Sequence, residues 1–173
     1  GGMWSVAVTD FIQMIILVVG LAILAVFAGQ QAGGADKVIA LAISQDMFKF
    51  WPEPNFHDVV FFLASAITIM LGSIPQQDVF QRVMSANSEY AATRGPVLGG
   101  LFYILFAFVP MFLVVSALII MPEQAKALIA EDPQKVLPTL VMEKMPFVMQ
   151  ILFFGALLSA IKSCASATLL APS

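Results

Sequence analysis

Residues 6–28 form a run of predominantly apolar side chains whose only charge is Asp10. At about 1.5 Å of rise per residue, a helix of that length crosses the roughly 30 Å hydrocarbon core of a bilayer. Within hydrocarbon every backbone N–H and C=O must be bonded inside the segment, which a helix does by itself. Residues 97–121 and 147–173 repeat the pattern, so the chain must fold around membrane-crossing helices. Composition agrees: 60% of the 173 residues are hydrophobic and 11% are charged, against about 25% charged in soluble domains. A water-facing globular fold is excluded. Eleven acids and eight Lys plus Arg give a net charge of -3 without a long run of either sign, so there is no nucleic-acid footprint. The single cysteine, Cys164, rules out an internal disulfide.

The segments between the runs divide the chain. Residues 30–58 read as a loop, with Gly33-Gly34, a short surface helix over 35–44, Trp51 as an interface anchor and Pro52-Glu53-Pro54. Residues 59–71 are apolar but stop at Gly72-Ser73-Ile74-Pro75, and apolar character resumes over 79–84, so residues 59–84 read as one broken span. Residues 85–96 form a polar connection closed by Gly95-Pro96. Pro110 predicts a bend in the third span, 97–121. In residues 122–146, Pro122 and Pro133 occupy first-turn positions and Asp132 an N-cap, which predicts two short surface helices. The fourth span, 147–173, reads as truncated. The chain opens Gly1-Gly2-Met3-Trp4 without a basic region or cleavage site and stops within an apolar run, so it reads as a piece of a longer protein with a single, partial transmembrane domain over 1–173.

Three features carry function. An irregular backbone at membrane depth, as at Gly72 to Pro75, frees polar groups that must be buried in protein or face a wet cavity; the alternative is a helix that ends at Gly72 and resumes at the surface. In the fourth span Gly155, Ser159, Ser163 and Ser166 recur at spacings of four, four and three, which places them on one side of a helix. Hydroxyls and bared carbonyls there are hard ligands for a small cation, and the competing reading is a packing seam of small residues. Asp10, with Thr9 beside it and Gln13 a turn on, is an ionisable group inside a span and therefore a functional candidate, unless it is simply wetted at the interface. Lys162 has three options: to snorkel, to pair with a carboxylate such as Asp10, or to place an ammonium in a cation site.

Three stretches in order, GGMWSVAVTDFIQMI (1–15), GSIPQQDVFQRVMSA (72–86) and FFGALLSAIKSCASATLLAPS (153–173), resemble the sodium/solute symporters, a family that includes proline, pantothenate, sialic acid, sugar and choline carriers. The resemblance implies an all-α integral membrane protein of the leucine-transporter type, with two inverted five-helix repeats of which this chain holds the fifth core helix of the first and the opening three of the second. It implies a sodium site at Ala160 (carbonyl), Ser163 and Cys164, a carboxylate on the ion's route at Asp10 that joins Ser166 in a further sodium site in some members, and substrate-facing positions at Ser73 and Gln76. Cys164 departs from the usual Ser or Thr, Lys162 from an apolar residue, and Ala167 from a hydroxyl used by some members. A thiol is a soft partner for a hard cation.

The function so implied is sodium-coupled symport of a small polar organic solute by alternating access, in a plasma or inner membrane, with sodium as coupling ion and no resident cofactor. Two other classes fit the same residues: a sensor input domain joined to a signalling module, and a proton-coupled or sodium-independent carrier. An enzyme is disfavoured, because His57, beside Asp58 at a loop edge, has no metal-spaced partners. The family orientation puts Lys37, Lys49, Lys126, Lys135 and Lys144 outside and Arg82 and Arg94 inside, against simple positive-inside counting; labelling a cysteine placed at Ser44 decides the sidedness.

Overall fold

The long apolar runs fold as helices that extend beyond them. In the computed structural model, which describes residues 3–72 and 76–170, α1 (Met3–Gln31), α5 (Glu89–Ile120) and α8 (Phe147–Leu170) are the three helices long and apolar enough to cross a membrane. The expected second span is α3 (Phe56–Gly72), apolar but only 17 residues long, followed by α4 (Gln77–Met84). Ser73, Ile74 and Pro75, on which the expected break and one substrate-facing position fall, lie outside the described residues. No strand occurs among the described residues.

Local chemistry explains where these helices start and stop. α1 ends on Gly33 and Gly34, both at positive φ (89° and 113°), where the Gly34 N–H reaches Gly29 O at 2.9 Å and the Gly33 N–H reaches Gln30 O at 3.1 Å. This Schellman pattern needs a left-handed residue that costs a side-chain-bearing position dearly. Asn55 starts α3: its Oδ1 accepts the Asp58 N–H (2.8 Å), and its amide donates to the Asp58 carboxylate (2.7 Å). Asn55→Ala is therefore expected to lower the thermal stability of the whole protein by about 1 kcal/mol, with Asn55→Ser retaining most of it in the same melting experiment.

The third span begins earlier than Val97. Ser88 caps α5 by accepting the Ala91 N–H (3.2 Å), and the helix runs from Glu89 through Gly95-Pro96 and Pro110 without interruption. A proline removes one helical hydrogen bond without necessarily ending the helix, and membrane helices tolerate it when neighbours compensate. The helix expected over 35–44 is α2 (Ala35–Ser44). The 122–146 segment forms α6 (Pro122–Glu131) and α7 (Val136–Lys144), joined by a 3-10 turn that Asp132 caps through the Gln134 N–H (3.2 Å).

α6 and α7 do more than lie on a surface. Ala125 from α6 and Val136, Leu140 and Val141 from α7 are buried with Leu24 and Ala28 of α1 and Leu113 and Ala117 of α5. Gly29 permits this approach, since a Cβ there would stand 3.1 Å from the Phe112 ring. A smaller cluster seats α2 on α5 through Val38, Ala42 and Val115. By contrast α3 buries none of its side chains, and Leu98, Leu101, Phe102 and Leu105 in the first half of α5 are exposed. Apolar exposure along whole helices suits hydrocarbon or neighbouring apolar helices, not water.

α1 packs most extensively against α8, and the two run antiparallel. At one end the Gln31 amide donates to Lys144 O (2.8 Å), just before α8 begins; at the other, Asp10 meets Ser163. The apolar core thus sits at one end of the α1–α8 pair and leaves the other end to polar groups.

Candidate cation site

The facing stripe of α1 comprises half-buried Val6, Asp10, Gln13 and Leu17, at the spacings that keep one helix face. From α8 the facing residues are Ala156, buried, and Ser159, Ala160, Ser163 and Ser166, half-buried. Gly155, expected on this face, is instead exposed, with nothing within 4 Å of a Cβ built on it; the seam is displaced by one residue, to Ala156.

Asp10 is the centre of the site. It lies about 10 Å along α1 from Met3, and its side chain retains 19% exposure. One carboxylate oxygen accepts the Ser163 hydroxyl from α8, and the other accepts Arg82 Nη2 from α4 at 2.9 Å. Three helices separated in sequence, α1, α4 and α8, therefore converge on one carboxylate. A bare carboxylate in a membrane span is costly, and the guanidinium and hydroxyl offset that cost with charge and a hydrogen bond.

The neighbours of Asp10 divide into spent and unspent oxygens. Thr9, its sequence neighbour, turns its hydroxyl back onto Ser5 O (3.0 Å) and Val6 O (2.9 Å), so it contributes to its own helix. Gln13, one turn along the same face, has its Oε1 shielded from solvent without a hydrogen-bond partner among the described residues. A buried acceptor without a donor is a cost that a bound cation or water removes.

The pairing of Lys162 with Asp10, one of three options open in the sequence, is not formed. Lys162 is exposed, and Arg82 holds the carboxylate. The reason is geometric: Lys162 precedes Ser163 by one residue and so points about 100° away from the face that meets α1. Cys164, on the other side of Ser163, is also exposed. Of the three positions expected to hold sodium, Ala160 and Ser163 are half-buried against α1 and Cys164 is turned outward. The serine that meets Asp10 is Ser163, and Ser166 lies half-buried one turn beyond it. Gln76 is exposed, and its carbonyl accepts the Phe80 N–H (3.1 Å) at the start of α4.

Arg82, which lies within the expected broken span 59–84 and enters the sequence argument only as a charge on the inner side, is the functional residue that sequence reasoning misses. The available signal is a lone cation in the short apolar stretch 79–84 that follows Gly72-Ser73-Ile74-Pro75 in the sequence. Among the described residues no three His, Cys, Asp or Glu side chains cluster. Asp10 and Ser163 bring a carboxylate and a hydroxyl oxygen together, and Gln13 adds an amide oxygen one turn along the same face; oxygens of these kinds are donors for a hard cation of low charge.

Apolar spanning helices that bring a carboxylate, a serine and an arginine together define an integral membrane protein with a polar site between its helices. Comparison with known proteins makes the class particular. The chain belongs to the family described as SSF, sodium:solute symporter family, whose profile matches residues 1–173. It is 31% identical over 182 residues to the human high affinity choline transporter 1, covering all of this chain and 31% of that protein. It is 35% identical over 103 residues to the high-affinity choline transporter 1 of Torpedo marmorata, covering 57% of this chain and 16% of that one. The chain thus spans less than a third of the length of these curated relatives. No solved structure matches.

Proposed function

We propose that this chain forms part of a sodium-coupled symporter of a small polar organic solute, set in a plasma or inner membrane and working by alternating access. The observation that carries the reading is the convergence of Asp10 and Ser163, 153 residues apart in sequence, inside two apolar spanning helices of a sodium:solute symporter family member. Ala160 and Ser163 line the face of α8 that receives the ion, Asp10 supplies the charge, and Ser166 extends the polar face further along the helix. Cys164, next to Ser163 on α8, is exposed. Ser73 and Gln76, which follow Gly72 in the sequence, contribute to solute binding. The leucine-transporter type of inverted repeat supplies the architecture in which an interrupted helix faces the solute.

The energetics suffice for accumulation. One charge crossing ~100 mV is worth ~2.3 kcal/mol. A tenfold sodium gradient adds ~1.4 kcal/mol, so one sodium concentrates a neutral solute by roughly several hundred-fold. For a cationic solute such as choline, the solute named for both relatives, the same potential also acts on the solute and raises that limit.

Ser163→Ala in the full-length carrier removes a hard oxygen from the site. The sodium concentration for half-maximal uptake of labelled choline is expected to rise about tenfold, the size of one lost hydrogen-bond-strength contact. Unchanged sodium dependence would remove Ser163 from the site, and uptake that follows pH in place of sodium would favour the proton-coupled class.

A further inference from the structure

Among the groups around Asp10, Arg82 is the one that a cation site does not need. A guanidinium on a carboxylate repels any cation approaching it, yet this pair also ties α4 to α1. The two partners differ in freedom: Arg82 keeps 54% of its side chain exposed, whereas Asp10 keeps 19%. The arginine can swing into a wetter region, and the carboxylate cannot. Gln13 Oε1 stands shielded on the same face as Asp10 and without a donor among the described residues, an oxygen that the arginine-held state leaves unused.

We propose that Arg82 is an exchangeable counter-ion, a gating residue for the cation at Asp10. Without a cation, the guanidinium occupies the carboxylate and holds α4 against α1. An arriving cation takes the carboxylate together with Ser163 Oγ and Gln13 Oε1, and Arg82 is released with α4. The exchange keeps one positive charge beside Asp10 in both states, so neither leaves a bare carboxylate among apolar helices. Linkage makes the coupling reciprocal: whatever factor Arg82 takes from cation affinity, the cation takes from the Arg82–Asp10 pair. The shape change then falls on α4, which among its described residues adds none to either buried apolar cluster.

The inference rests on the sodium-coupled reading, and the test separates the two. Purified full-length protein is titrated with sodium chloride against potassium chloride at constant ionic strength, and the thermal midpoint is followed, since a bound ion stabilises the folded state without need of the solute. Arg82→Gln is expected to lower the sodium concentration at half-effect by about fivefold, and Arg82→Lys to restore it toward the wild-type value. In the wild-type protein, sodium is expected to speed amide hydrogen exchange over residues 76–86. A half-effect concentration that is unchanged or raised in Arg82→Gln overturns the proposal, as does exchange over 76–86 that sodium leaves unmoved; the exchange experiment decides alone should the variant fail to fold. A wild-type protein whose midpoint ignores sodium sinks the sodium reading and this proposal together, whereas a sodium-responsive wild type with an indifferent Arg82→Gln sinks this proposal only.

Discussion

Asp10→Asn in the full-length carrier is expected to raise the sodium needed for half-maximal uptake by at least about tenfold while leaving the protein folded. The amide keeps the shape of the carboxylate and still accepts the Ser163 hydroxyl, so the substitution isolates the charge. A unit charge near a bound ion is the largest single attraction this site offers, because the hydroxyl and amide oxygens contribute only dipoles. Asp10→Ala acts differently. Both variants remove the counter-charge of Arg82, but Asp10→Ala also removes the oxygens that accept from Ser163 and Arg82, so it is expected to reduce the amount of folded protein in addition to weakening sodium. Comparing the two by uptake and by yield of folded carrier separates the ionic from the structural role. An Asp10→Asn carrier with wild-type sodium dependence would take Asp10 off the ion's path.

The other large effect is expected at Leu140, far from this carboxylate. Its side chain is fully buried in the cluster that joins α7 to α1 and α5. The segment lies between two spans, so the unfolded alternative exposes it to water and both the transfer cost and the cavity cost apply. Leu140→Ala is expected to destabilise the protein by roughly 2–5 kcal/mol. Leu101, exposed on α5, provides the control: its truncation to Ala removes little packing and should shift the melting temperature far less. Equal shifts from both would place the core elsewhere.

Much of the helical framework was legible because the signals were local. The bounds of α2 and the Asp132 cap follow from capping and breaker residues, which act within a turn or two. Gly95-Pro96 reads as punctuation and points to a start at Val97, whereas the Ser88 cap opens α5 at Glu89 and a long apolar helix carries both residues. The site was legible only in part. Asp10 and Ser163 stand out as polar residues in apolar runs, but the choice between Lys162 and Arg82 as the partner of Asp10 depends on how α4 meets α1, a contact between residues 72 apart that no local pattern encodes. The one-residue shift from Gly155 to Ala156 has the same origin, since rotation of a helix about its axis is set by its neighbour.

The most direct test of a sodium-coupled carrier is uptake of labelled choline into proteoliposomes holding the full-length protein, under an inward sodium gradient and under an equal potassium gradient at matched membrane potential. Sodium is expected to drive accumulation above the level the membrane potential alone sustains, with potassium failing to do so and Asp10→Asn needing far more sodium for the same effect. Accumulation as great under potassium as under sodium would contradict it.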